Sequence, residues 1–457
     1  MLKNKYLIFL IIVLAFSCDF IKKNKKSYFS GKIIKKTNDK ISLLKDQVIL
    51  KESYVSKEGI FYMSLDSIKD GLYNFKHLPE FQYLIIENGD SLVLRLNAVD
   101  FDESLVFTGI GSPKNNYLID IFLNHENEER FIKSLMMKKP LPFRKSIDSL
   151  LDLKNSKFKK FKKNNKLNYT SIMIMEHAIK LPLYSNIEAY ISGIKQNNVI
   201  KNINNNFYDY RDEIDFNIQE LSNFKPYLDY IILRTNNQSG IDLNSLSNLY
   251  LQFNLDRINF VNSSISNPVI KSQILRYIAF EYLLKENILI NIDTFLYEFL
   301  KISVNKKNNI EIKQLYENIS LLQKGNYIPE IELITVIKEN IFINNIYSNK
   351  PVIYVFWSYD QNSHQIGLFN KINEFLNTNK KYNFHCININ SDVEKWREYL
   401  GFIKKNKNIK HFIANDFSIM SKKMVLNNLN KIIITDSKGK IRSISNISSL
   451  KSFYLGD

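Results

Sequence analysis

Cysteine and histidine, the residue types that most often carry nucleophilic, redox or metal chemistry, are few in this 457-residue sequence, and their spacing narrows the options further. There are two cysteines, Cys18 and Cys386, and six histidines. Two cysteines exclude a disulfide scaffold and a cysteine-built zinc site. Cys386 alternates within Phe384-His385-Cys386-Ile387-Asn388-Ile389. In such a strand a free thiol packs as a small core residue, with a reactive thiol as the lesser alternative. His364 follows Asp360 and Ser363. A neutral imidazole at a helix N-terminus could serve as a base or a metal ligand. Ser363, however, more naturally caps the helix, and His385 and His411 lie too far along the chain for metal spacing. Neither a metal nor a cofactor is expected. Gly109-Ile110-Gly111 has Lys114 where a dinucleotide loop wants its third glycine, so it reads as a turn. The acids Glu128-Glu129 show no catalytic spacing.

The start of the chain sets the expected compartment. Met1 to Lys5 carries Lys3 and Lys5 and no acid, Tyr6 to Phe16 is continuously apolar, and Ser17-Cys18 follows. The apolar run is too short to span a bilayer and fits a signal peptide over residues 1–17. A small residue directly before a cysteine resembles the bacterial lipobox. That resemblance implies cleavage before Cys18 and a diacylglyceryl thioether on its sulfur, against a plain signal peptide with a chance cysteine. Residues 18–27 carry Lys22, Lys23, Lys25 and Lys26, and acyl chains plus a basic cluster make a two-signal membrane attachment. Lys and Arg number 63 against 46 acids, a net +17, which suits anionic partners. The same surplus is also what a Lys-, Asn- and Ile-rich composition produces. Export makes nucleic acid an unexpected partner and favours a membrane surface or envelope polymer. The expectation is a lipid-anchored cell-envelope protein facing the periplasm.

The elements that position these residues fall into three regions. With 45% apolar and 24% charged residues, the chain can bury real cores and is not disordered. Residues 28–110 read as strands: Leu92, Leu94 and Leu96 alternate with polar neighbours, Tyr83-Leu84-Ile85-Ile86 precedes them, and Asn88-Gly89 predicts a tight hairpin. Asp70-Gly71 marks another turn. An N-terminal antiparallel β-sandwich is expected. Residues 111–325 read as an all-α region. Asn267 and Pro268 are a cap and a first-turn proline, followed by Ile270, Ile274, Tyr277 and Ile278 on one face. Phe131, Ile132 and Leu135 form another stripe. The basic run Lys154 to Lys166, with Phe158 and Phe161, reads as a solvated helix face, with a nucleic-acid or lipid patch as the alternative. Residues 326–457 alternate strands and helices, an α/β pattern. Strands are expected over Pro351 to Phe356, Tyr382 to Ile389 and Lys431 to Thr435. Helices are expected around Ile366, Phe369, Ile372, Phe375 and Leu376, and around Trp396, Tyr399 and Leu400.

The last region carries a resemblance. Gly325-Asn326-Tyr327-Ile328-Pro329, Asn349-Lys350-Pro351-Val352, Phe356-Trp357-Ser358 and the turn from Asp436 to Gly439 resemble the thioredoxin fold, in the form of envelope thiol-disulfide reductases. Upstream, Glu87 to Leu92 and Phe107 to Leu118 resemble the β-rich leader and helix start of such lipoproteins in Bacteroidetes. The resemblance implies a C-terminal thioredoxin-like domain. Its redox motif, F-W-A-x-W-C-x-x-C, is lost here. Gln361 stands at the attacking thiol's position, His364 at the resolving thiol's, and Asn430 at the cis-proline's, where a trans bond is expected. Gly367 and Phe369 replace the Glu and Pro that follow the motif. A carboxamide cannot attack a disulfide. In that fold the surface beside the motif holds an extended peptide, so Trp357, Tyr359, Asp360, Gln361 and His364 are expected to line a binding groove without exchange. The expected function is binding or scaffolding of an envelope protein or peptide. Two alternatives stand: an enzyme of the family using a non-standard site, and a module that binds anionic lipid or glycan.

Overall fold

The computed structural model describes residues 26–66, 68–196, 205–238, 247–346 and 348–450. The signal peptide, Cys18 and all but the end of the lysine tether lie outside them. Two compact units emerge: residues up to 249 with 259–274, and residues 250–258 with 275–457. No helix among the described residues is long and apolar enough to cross a membrane.

The first unit begins with eight strands in two four-stranded sheets. β1 (Ser27–Ile34), β4 (Ile60–Leu65), β7 (Ser91–Asn97) and β8 (Val106–Ile110) form one, in the order β4-β1-β7-β8. β2 (Lys40–Lys45), β3 (Val48–Tyr54), β5 (Gly71–His77) and β6 (Glu80–Ile86) form the other, in the order β3-β2-β5-β6. Leu92, Leu94 and Leu96 face inward as their alternation predicts, and pack with Phe29, Phe75 and Leu84 from both sheets. The sandwich is antiparallel except for β1 and β7, which pair in parallel. The Asn88-Gly89 hairpin is a correction. β6 and β7 belong to different sheets, because both contribute side chains to one core from opposite sides. The turn therefore crosses between sheets, and Gly89 supplies its positive φ of 93°.

A polar cluster joins the sandwich to the first long helix, α1 (Ser112–Leu135). Asn115 clamps β6, accepting from Ile85 N–H at 2.8 Å and donating to Ile85 C=O at 2.9 Å. Asn116 does the same for Phe107 on β8. Lys114 is buried and pairs with Asp90 at 2.7 Å and Glu87 at 3.4 Å. Glu87 also accepts from the Ser171 hydroxyl. Gly111 has φ 90°, and a Cβ there would sit 2.4 Å from the Asp90 carboxylate. The motifs Glu87 to Leu92 and Phe107 to Leu118 are therefore the joint between strand and helix.

The helices follow the expected patterns with shifted centres. Asn267 caps Pro268–Lys285, its side-chain oxygen accepting from Val269 and Ile270 N–H. Ile270, Ile274 and Ile278 are buried but Tyr277 is 44% exposed. The buried arc runs on through Leu275, Ala279 and Tyr282, which leaves Tyr277 on the rim. Phe131 is likewise exposed beside buried Ile132 and Leu135. The basic run lies on the end of Pro140–Asn164, with Asn165 and Lys166 beyond the helix. Phe158 is buried, Phe161 stacks on Tyr117 at 4.2 Å, and Lys154 and Lys162 pair with Glu128 and Glu176. That arrangement is a solvated face with an aromatic underside.

The second unit holds a seven-stranded sheet. Its strands are β9 (Glu332–Thr335), β10 (Asn340–Phe342), β11 (Val352–Trp357), β12 (Asn383–Asn388), β13 (Ile409–Ala414), β14 (Lys431–Thr435) and β15 (Ile441–Asn446), in the order β10-β9-β13-β12-β11-β14-β15. β11, β12 and β13 are parallel, and β14 and β15 antiparallel. All six residues of β11 are buried. Ile353, Val355 and Trp357 pack on one face with Ile372 of the helix Asn362–Thr378. Val352, Tyr354 and Phe356 pack on the other with Met420 of the helix Phe417–Lys423.

Two predictions follow from these cores. Lys114→Met leaves the buried Asp90 carboxylate without its cation and should cost about 3–5 kcal/mol in urea unfolding. Asp90→Asn added to it should recover part of the loss, and a loss below about 1 kcal/mol would contradict the joint's role. His385 is fully buried between the rings of Tyr354 and Phe412. Burial, helped by Lys410, pushes its pKa down to about 3. The unfolded chain protonates near pH 6.5, so stability is complete above that pH. It falls by about 1.4 kcal/mol per pH unit towards pH 3. Trp357 and Trp396, the protein's two tryptophans, are both buried in this unit and report its unfolding. His385→Leu should flatten the pH dependence of that fluorescence midpoint, leaving the share of His411, pushed down to about 4 by burial. An unchanged slope would contradict the assignment.

Candidate functional site

The end of β11 leads into the loop Ser358 to Gln361 and then into the helix Asn362–Thr378. β11 ends here because its last apolar residue is Trp357, buried edge-on against Phe369 at 5.4 Å. The loop is held from the neighbouring strand end. Asn390, just past β12, accepts from the Ser358 hydroxyl at 2.9 Å and from Tyr359 N–H at 3.2 Å. Its amide donates to Asp360 at 2.6 Å. Lys395 reaches the other Asp360 oxygen at 3.2 Å and lies 4.5 Å over the Tyr359 ring. Tyr359 stacks on Tyr399 at 5.4 Å. The bond to Asp360 holds the Lys395 ammonium above its ordinary pKa, and burial raises the Tyr359 phenol.

The structure gathers the expected site residues into this one loop and helix turn, with different roles. Trp357 and Tyr359 are 0% and 5% exposed, so they are walls of the core and offer no groove surface. Asp360 is exposed and engaged with Asn390 and Lys395. Gln361 is exposed at the N-cap position, and its carbonyl accepts from Gln365 N–H. Its side chain makes no capping bond, and neither does that of Ser363, which lies inside the first turn. The expectation that Ser363 caps the helix is therefore corrected. His364 is half-buried, and neither ring nitrogen has a hydrogen-bond partner among the described residues. The pairing with Asp360 that a base would use is absent there.

Asn430 is exposed just before β14. Its N–H donates to Asn428 and its carbonyl accepts from Ile447. The only cis peptide among the described residues is Leu78–Pro79, so the bond before Asn430 is trans. Continuing the β11–β14 register beyond Val355 and Ile432 sets Asn430 across from Trp357, at the same sheet end as the loop.

The remaining described thiol is elsewhere. Cys386 sits in the middle of β12 with 0% exposure, and burial pushes its thiol well above the ordinary range. It packs as the core residue its alternation suggested. No group of three His, Cys, Asp or Glu among the described residues is arranged to hold a metal. Sequence reasoning missed Asn390, Lys395 and Tyr399. Their contacts are long-range, and the only local signal was Asp392, which caps the next helix by accepting from Lys395 N–H at 3.0 Å.

The family model described as Thioredoxin-like matches residues 349–441. Among solved structures, a thiol:disulfide interchange protein from Bacteroides sp. is similar at 18% identity, over 29% of this chain and 88% of that one, with a TM-score of 0.25. The thioredoxin domain of a thiol-disulfide oxidoreductase from Bacteroides vulgatus gives 18%, 29%, 98% and 0.24. A thioredoxin-like protein from Bacteroides caccae aligns over 58% of this chain and 92% of its own, at 11% identity and a TM-score of 0.34. No curated protein matches. The β-rich and helical regions of this multidomain chain thus precede a C-terminal thioredoxin-like domain.

Proposed function

We propose that this protein is a lipid-anchored cell-envelope protein whose thioredoxin-like domain binds a partner and does not exchange thiols. One observation carries the reading: the first turn after β11 presents Gln361 and His364 and no sulfur. Thiol-disulfide exchange requires an accessible thiolate. Cys386 is enclosed in the core with its thiol pKa raised by burial, and Cys18 is the expected lipid attachment point. What the loop offers instead is a fixed polar surface. Asp360, Gln361, Asn362 and Ser363 are all exposed, and Asn390 holds the head of this turn through the Tyr359 N–H and the Asp360 carboxylate. Such a surface can hydrogen-bond an extended peptide without reacting with it. The anchor would hold this surface at a membrane, and the partner is an envelope protein or peptide.

Two experiments test the reading. Cys18→Ala should abolish incorporation of a radioactive fatty acid and release the protein from membranes. Unchanged labelling of the variant would contradict the anchor. The two vacated positions are three residues apart across one helical turn, which brings their α-carbons to about 5–6 Å, within disulfide range. Gln361→Cys with His364→Cys should close a disulfide under mild oxidant without unfolding the domain. The thiol at 361 should be alkylated faster than an ordinary one, because the helix dipole favours its thiolate. A folded double variant that keeps two free thiols, while a control pair closes, would mean that this loop is not the equivalent of the family's motif.

A further inference from the structure

β15 is an edge strand, and the start of its outer edge is already in use. Gly325 N–H donates to Ile441 C=O at 2.7 Å, and Ile441 N–H donates to Asn326 C=O at 2.7 Å. Beyond Ile441 no strand among the described residues pairs with this edge. Ile447 N–H donates to Asn430 C=O, so alternation turns the main-chain groups of Ser445 and Ser443 towards β14 and those of Asn446 and Ile444 outward. The Asn446 carbonyl accepts from the Ser449 hydroxyl. The outward N–H and C=O of Ile444 have no partner among the described residues.

A cavity of about 520 Å³ lies against this stretch, bounded by β15, Lys431 and the ends of the helices Pro268–Lys285 and Lys306–Leu321. That volume suits a bound ligand. Register sets Lys431, Ile444 and Asn446 on one face of the sheet. Ser443 and Ser445 point to the other face and also border the cavity. Lys285, Lys324 and Lys431 line it against one carboxylate, Glu286. Glu286 is spent on Asn287 N–H, Ile288 N–H and the Tyr282 hydroxyl. Lys285 pairs with Glu281, which Arg257 shares. Lys324 is exposed. Lys431 is half-buried and donates to the Met424 and Val425 carbonyls at 2.8 and 3.0 Å. Its third proton is left over, and burial without a carboxylate lowers its pKa to about 8.

We propose that this edge binds an acidic peptide segment in extended conformation, added to β15 as a further strand. Main-chain bonds to Ile444 fix the register, and the lysines select carboxylates. The site is separate from the loop at Gln361 and His364 and does not depend on how that loop is read.

The test uses the full-length protein in neutral detergent and two short fluorescent peptides, one alternating glutamate with valine, the other lysine with valine. Fluorescence polarisation at low salt should show the glutamate peptide binding roughly tenfold or more tighter. Lys324→Glu should weaken it roughly tenfold. Ile444→Pro removes an outward N–H that the β14 ladder does not use, and should abolish binding with the tryptophan unfolding midpoint unchanged. In the wild type, hydrogen exchange of the Ile444 amide should slow when the peptide is bound. Equal affinity for the two peptides, an Ile444 amide that gains no protection, or indifference to Lys324→Glu would each overturn the proposal. So would anionic vesicles that compete fully with the peptide while leaving the Ile444 amide unprotected. Should Ile444→Pro fail to fold, Lys324→Glu and the exchange measurement decide.

Discussion

The strand Val352–Trp357 has no exposed residue, and the C-terminal domain is organised around covering it. A strand buried on both faces needs a layer on each. Here alternate residues divide between two cores, one built on the helix Asn362–Thr378 and one on the helix Phe417–Lys423. Both layers fix where the chain leaves the strand. After Trp357 the next residues have one place to go, the sheet end that also receives Asn390 and Asn430. The loop position is thus set by packing, and it persists whatever residues occupy the first turn of the helix.

That separation between frame and chemistry explains how sulfur can be missing from this loop of a thioredoxin-like domain while the architecture remains. The loop is held by Asn390 and Lys395 through Ser358, Tyr359 and Asp360, and none of these bonds involves position 361 or 364. Substituting those two positions costs the frame little and, on the proposed reading, removes the means of exchange. The first unit depends on a comparable device at another place. The buried Lys114, with Asp90 and Glu87, ties the β-sandwich to its first helix.

Much of this was legible in the residues, and the failures share a physical cause. Continuous apolar runs and alternation located β11, β12 and β14, and Asn267 with Pro268 located a helix start, because those signals are local. The crossing of Asn88-Gly89 between sheets was not legible, since a turn dipeptide does not say which sheet its second strand joins. The parallel pairing of β1 with β7 hides for the same reason: it joins residues far apart in sequence. Tyr277, Phe131 and Ile366 lie at the rims of apolar stripes, and each is exposed because the buried arc is centred elsewhere. At the site, the sequence placed Trp357 to His364 together between a strand and a helix, as the structure does, but did not reveal the depth of these residues. Trp357 and Tyr359 are core, and the residues that hold the loop come from beyond the next strand.

The central claim is that this thioredoxin-like frame performs no thiol-disulfide exchange. It is tested most directly by insulin reduction, with the full-length protein in detergent and limiting dithiothreitol as electron source. The account predicts precipitation of the insulin B chain no faster than with dithiothreitol alone, and Cys386 alkylated only after unfolding. Acceleration by the folded protein that disappears in Cys386→Ser would contradict it, because an exposed, reactive thiol would then exist where the structure has a buried one.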